Sequence, residues 1–230
     1  MNKVDGWEKI IKSIEVLEYR YEVGTELIGA FLPFFTRRLL TCLYEPEKVI
    51  LDVGAGTGAL SRTLLSSHRA YLVMVDVSRR LMEIAIEKMN RYDGRFDAIL
   101  ASSEMLPIRA GAIEAIYTSF VFRDVIDHKS TLLEFKRVLI EKGKWLSVDM
   151  GKPDDRIRRD ILLVLLRLNI MLFGKLLSLD GGNPWKLLIY TLHRVPSNNI
   201  LYNLIREIFP LSKMFSFLGG FVYINISAKS

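Results

Sequence analysis

The 230-residue chain predicts an α/β fold, a doubly wound and mostly parallel sheet with helices on both faces. Three observations predict it. Between residues 48 and 150, β-branched apolar runs alternate with helical stretches, the pattern of repeated strand–helix–strand units. The first run, Val49-Ile-Leu-Asp-Val53, breaks into glycines at every second position, Gly54, Gly56 and Gly58, and the helix-forming stretch Ala59–Leu65 follows at once. The chain closes on Lys213–Phe217 and Phe221–Ala228 around Gly219-Gly220, a hairpin signal that gives the sheet an antiparallel edge.

In chain order, residues 6–42 read as helical. Ile10, Ile11, Ile14 and Leu17, then Leu27, Ile28, Phe31 and Leu32, recur at helical spacing, and Pro33 breaks or restarts the second helix. A turn at residues 45–48 precedes the first strand. Strands are expected at Val49–Val53, Tyr71–Val75, Phe96–Ala101, Ala115–Phe120 and Lys144–Met150. Residues 153–209 interrupt the sheet with helices. Their greasiest run, Ile161–Leu179, approaches the roughly 20 residues that cross a bilayer. Arg167, Asn169 and Lys175 interrupt it, and one central arginine costs about 2.5–3.5 kcal/mol on insertion, so a buried or interfacial helix is expected. Asp180-Gly-Gly-Asn-Pro184 ends it, with Asn183 as cap and Pro184 as first residue of the next helix. The chain thus reads as one domain: a helical cap over 1–44, a core over 45–152 and 210–230, and a helical insertion over 153–209 on the substrate side.

Hydrophobic residues make up 50% of the chain and mean hydropathy is +0.21. That surplus beyond an ordinary core calls for a greasy substrate, a membrane surface or a subunit interface. The lone Cys42 excludes an internal disulfide and argues against structural zinc. The polar start Met1-Asn-Lys-Val-Asp is unlike a signal peptide, and a cytoplasmic setting is expected. Net charge is +6, but the basic residues are scattered without aromatic interleaving, so no nucleic-acid partner is expected.

The glycine turn lets a ligand lie directly on the main chain. It lacks the Gly-Lys-Ser/Thr of a nucleoside-triphosphate loop and the spacing of nicotinamide enzymes. It suits a nucleoside with an amino-acid tail better than a pyrophosphate. One helix and one strand later, Tyr71-Leu-Val-Met-Val-Asp76 ends in a carboxylate, the position from which an acid accepts ribose hydroxyls. Asp76 or Ser78 can also cap the helix Arg79–Met89. Ser78 is expected to cap, leaving Asp76 for the ribose.

The turn resembles motif I of the class I S-adenosylmethionine-dependent methyltransferases. Ser102-Ser-Glu-Met-Leu-Pro107, Ser119-Phe-Val-Phe-Arg-Asp-Val125, Glu134–Leu139, Asp149-Met-Gly-Lys-Pro153 and Arg20-Tyr-Glu-Val-Gly24 resemble segments of the ubiquinone/menaquinone biosynthesis C-methyltransferases. Ala55, Ala59, Glu141-Lys-Gly143 and His193-Arg-Val-Pro196 depart from that family's pattern. The resemblance implies a Rossmann-like methyltransferase fold with S-adenosylmethionine as cofactor. Its contacts would run from Asp52 through Gly54, Ala55, Gly56, Thr57 and Gly58 at the methionine end. Asp76 and Val77 would hold the ribose, and Ser102 and Ser103 would flank the adenine. Ser119 would lie under the sulfonium, and Tyr21 would contact cofactor or ring.

The resemblance further implies C-methylation of a prenylated quinol. Arg123, just beyond the fourth strand, would stabilise the phenolate, with Asp124 or His128 as base. A surface pairing of Arg123 with Asp124 or Asp127 is the alternative, and Glu104, open also to a reading as a surface acid, stays outside the core set. Peripheral contact with the inner face of the membrane accompanies a lipophilic substrate. A soluble small-molecule substrate, with the insertion forming a homodimer, is the competing reading.

Overall fold

The alternating pattern of Val49–Val53 (β1) buries Ile50 toward one face of a sheet and Leu51 toward the other, and this period of two recurs in the neighbouring strands. The computed structural model describes residues 15, 20–46, 48–177, 192 and 195–230. Most of residues 6–19, Asn183, Pro184 and His193 therefore lie outside the described residues, as does the side chain of Tyr21.

Helices Arg20–Ile28 (α1) and Leu32–Cys42 (α2) come first. Between them Ala30 and Phe31 take left-handed backbone, and Pro33 enters the first turn of α2, where a missing N–H costs little. Then follow β1, Ala59–Ser67 (α3), Tyr71–Asp76 (β2), Arg79–Met89 (α4), Phe96–Leu100 (β3) and Ile113–Ser119 (β4). A short 3₁₀ turn, Phe122–Asp124, leads to His128–Val138 (α5) and Leu139–Met150 (β5). Arg156–Leu177 (α6), Asn198–Ile208 (α7), Leu211–Phe217 (β6) and Val222–Ala228 (β7) complete the order. Ser78 caps α4 as expected, its hydroxyl accepting from Leu81 N–H at 3.2 Å.

The seven strands lie in the order β3-β2-β1-β4-β5-β7-β6. The first five are parallel; β7 runs antiparallel between β5 and β6. The hairpin gives the sheet its expected antiparallel edge: its second strand pairs with β5 and its first forms the rim. Ile50, Leu72, Met74, Tyr117 and Leu146 point to one face, where α3 and α4 supply Leu64, Met82 and Ala85. Leu51, Val75, Ile116 and Trp145 point to the other, against Leu132 and Phe135 of α5 and Leu201 and Ile205 of α7.

The insertion leaves and rejoins the sheet at one place. Asn198 N–H donates to Lys152 O at 2.9 Å, and Lys152 N–H donates to Asn198 Oδ1 at 2.8 Å. Asn198 Nδ2 reaches Gly220 O in the hairpin turn at 2.7 Å. Within the insertion, Leu166 and Ile170 of α6 pack on Ile28 of α1 and on Met150. The opposite side, Ile157, Ile161, Val164, Leu165, Leu168, Met171 and Leu172, is exposed. No helix among the described residues is long and apolar enough to cross a membrane.

Candidate active site

Parallel strands leave their carboxyl ends at one edge of the sheet, and there the ends of β1, β2 and β4 and the loop after β3 enclose a cleft with a cavity of about 170 Å³. Gly54, Ala55, Gly56 and Thr57 form its floor; Asp76, Val77, Ser102 and Ser103 form one wall, and Ser119 and Asp124 another. Helix α1 closes the remaining side with Glu22, Thr25 and Glu26, beside Arg37 of α2.

The glycine turn is locked to β2. Gly54 N–H donates to Val75 O at 2.8 Å, and Gly54, Gly56 and Gly58 all take positive φ. Gly56 N–H donates to Asp76 Oδ2 at 2.8 Å, while Ser78 N–H donates to Asp76 Oδ1 at 2.8 Å. An ionised carboxylate has about four acceptor sites, so each oxygen keeps room for a hydroxyl. Burial raises the Asp76 pKa above its ordinary value against these backbone bonds.

Asp52 and Gly58 are not in the cleft wall. Asp52 is buried and accepts from Ser61 Oγ at 2.5 Å. Its burial, aided by the charge of Asp76, pushes its pKa to about 7. Gly58 caps α3 where an added Cβ would meet Ala85 at 3.2 Å. These two support the turn from behind the cleft lining.

Arg123 pairs with Asp124, one of the two partners considered for it, but does so in the interior and not at the surface. Its side chain is buried and absent from the cleft wall. The guanidinium meets Asp149 Oδ1 at 3.1 Å and Asp124 Oδ2 at 3.4 Å, and the Arg123 backbone N–H donates to Asp149 Oδ2 at 3.1 Å. The physical reason lies in the sheet. Asp149 near the end of β5 is fully buried beside β4, and an unpaired carboxylate there would be costly. Burial still raises Asp149 to about 6, against the pull of Arg123. Asp124, on the same 3₁₀ turn, faces the cleft. His128 begins α5 and stacks edge-on against Phe122, 4.9 Å between ring centres.

Glu104 is no surface acid. It lines the cleft, takes the Ser102 hydroxyl and Ser103 Oγ (3.2 Å), and accepts from Ile126 N–H at 2.9 Å. Burial raises its pKa, but these hydrogen bonds outweigh burial and leave it below the ordinary value. Sequence reasoning also missed Glu22, which binds Arg62 and, at 2.8 Å, Lys88. Burial raises its pKa, yet those cations hold it low. An acid on the cap helix with basic residues on α3 and α4 has no local sequence signature, because the pairing is made only by docking.

The cleft fits a nucleoside with an amino-acid tail. It offers a floor of glycines and small side chains, an acid at the end of β2, and the shielded Ser119 hydroxyl, which has no hydrogen-bond partner among the described residues.

A family model described as "Methyltransferase domain" matches residues 51–147. The chain is 26% identical over 219 residues to a ubiquinone/menaquinone biosynthesis C-methyltransferase, UbiE, of Wigglesworthia glossinidia brevipalpis, covering 91% of this chain and 86% of that protein. It is 33% identical to a demethylmenaquinone methyltransferase of Thermotoga maritima, over 57% of this chain and 58% of that one. A crystal structure from Thermotoga maritima, described as a SAM-dependent methyltransferase and possible histamine N-methyltransferase, matches 96% of this chain and all of its own with a TM-score of 0.67 at 17% identity.

Proposed function

We propose that this chain, a class I S-adenosylmethionine-dependent methyltransferase, methylates a ring carbon of a prenylated quinol. One observation carries the choice of substrate. Helix α6 packs on α1 through its buried side, α1 closes the cleft, and the opposite side of α6 is apolar and exposed. A greasy tail can lie along that surface while the ring enters beside Asp124. The names of the quinone-methylating relatives support the same substrate class.

The bound cofactor supplies an electrophilic methyl group on a sulfonium. The chain supplies the rest. The glycine floor and Asp76 hold the nucleoside, Ser102 and Ser103 face the base, and α1 limits access of water. Asp124 accepts the hydroxyl proton of the ring, which makes the neighbouring carbon electron-rich. Arg123 positions Asp124 and keeps its charge compensated. Placement of that carbon against the methyl group supplies much of the remaining rate.

A methyl-transfer assay against demethylated quinols with and without prenyl tails tests the substrate. Tailed quinols are expected to be methylated and to compete far better than tailless rings. Anionic vesicles are expected to retain the protein, and less so after charge reversal of Arg156, Arg158 and Arg159, each worth about 1 kcal/mol near a charged surface. Equal competition by both quinols, with no vesicle binding, overturns the lipid substrate and favours a soluble one.

Asp76→Ala is expected to weaken S-adenosylhomocysteine binding by roughly tenfold or more, the size of a lost charge-assisted hydrogen bond. The same change removes the acceptor of Gly56 N–H. Calorimetry that shows unchanged affinity would reduce Asp76 to a clamp on the turn.

A further inference from the structure

The glycine floor and Asp76 serve the nucleoside, while the part of the cleft lined by the cap helices has no role in that binding. There Glu26 of α1 and Arg37 of α2 form an ion pair in the cleft wall. Both side chains are nearly buried, at 14% and 11% exposure, so the pair has surrendered most of its hydration. The second Glu26 oxygen accepts from Phe34 N–H at 2.9 Å, which fixes the carboxylate to the start of α2. Arg37 is close enough to Asp52, below the glycine floor, for its charge to lower the pKa of that acid. Glu22 does not compete for the same role, since Arg62 and Lys88 already hold it.

We propose that Arg37 and Glu26 form the subsite for the amino-acid end of the cofactor, Arg37 taking the methionine carboxylate and Glu26 the ammonium. This rests on the S-adenosylmethionine reading of the cleft. A zwitterion matches an ion pair of opposite sense, so the cleft wall stays neutral when it binds. A guanidinium presents five N–H donors in a planar fork, enough to serve a partner carboxylate and a ligand carboxylate together. Asp76 at the end of β2 and Ser102 after β3 line the same cleft as this pair. Different residues of one cleft thus read the nucleoside and the amino acid, and a nucleoside without the charged tail binds without the contacts at this pair.

Calorimetry on the full chain tests this with two probes, S-adenosylhomocysteine and methylthioadenosine, which lacks the amino-acid end. Arg37→Met is expected to weaken S-adenosylhomocysteine roughly tenfold or more while methylthioadenosine changes by less than about twofold. Equal losses for both probes, or no loss for either, overturn the proposal, the first by making Arg37 a structural tie between α1 and α2. Should Arg37→Met lower the unfolding temperature sharply, Arg37→Lys and Glu26→Gln carry the same comparison. Selective loss of S-adenosylhomocysteine in either supports the subsite, and parallel loss refutes it. A wild-type protein that binds neither probe refutes the cofactor reading itself, a result distinct from failure of the subsite.

Discussion

Arg123→Ala is expected to lower the unfolding free energy by about 3–5 kcal/mol, the usual cost of breaking a buried ion pair from one side. Asp149 stays behind, fully buried, with backbone donors from Arg123 and Met150. The loss depends on pH. Asp149 titrates at about 6 in the folded protein, above its ordinary 3.8. A raised carboxyl pKa means that the folded state holds the extra proton, so this group's contribution to stability falls as pH rises through that interval. Without the arginine charge the folded pKa rises further, and the decline continues to higher pH. The deficit relative to wild type is therefore expected to be small near about pH 5 and large near about pH 8. Denaturant unfolding at the two pH values measures it. An Arg123→Ala protein of wild-type stability that still loses methyl transfer would put the guanidinium on the substrate instead.

Gly54→Ala is expected to abolish cofactor binding and to destabilise the fold. An added Cβ would lie 2.1 Å from Val121 Cγ2, and the backbone sits at φ +74. Left-handed backbone costs a residue with a side chain about 1–2 kcal/mol, and overpacking adds about 1–3 kcal/mol. The strain falls on Val121, directly before the turn that carries Asp124. Gly111 provides the control, with φ +63 and nothing within 4 Å of an added Cβ. Its alanine variant bears only the backbone cost. If both variants unfold at the same denaturant concentration and bind S-adenosylhomocysteine alike, the contact with Val121 is not rigid.

What was legible in the sequence was what neighbours in the chain decide. The period of two placed β1, β2 and β3 to within a residue, and α4 has the expected limits because Ser78 marks its start. β5 begins five residues earlier than Lys144, since Leu139 pairs with Ile113 across a bulge that apolar patterning does not show. At the site, the glycine floor, Asp76 and the loop serines announced themselves by position after a strand. The Arg123–Asp149 pair did not, because it forms only when β4 and β5 become neighbours. Glu22, Glu26 and Arg37 were hidden for the same reason: ordinary helical charges gain meaning only when α1 and α2 dock over the sheet.

The clasp at Asn198 makes the insertion modular. Its two ends meet at a hydrogen bond between Lys152 and Asn198, and the segment between them touches the sheet and α1 chiefly through Leu166 and Ile170, on Met150 and Ile28. Loop-closure entropy grows slowly, by about 0.6 kcal/mol for each doubling of length. A transplanted segment of different size and polarity, grafted between those two residues, would leave the catalytic half of the molecule standing. The same scaffold could then be redirected from one class of acceptor to another by exchange of a single cassette, with Asn198 retained as its buckle.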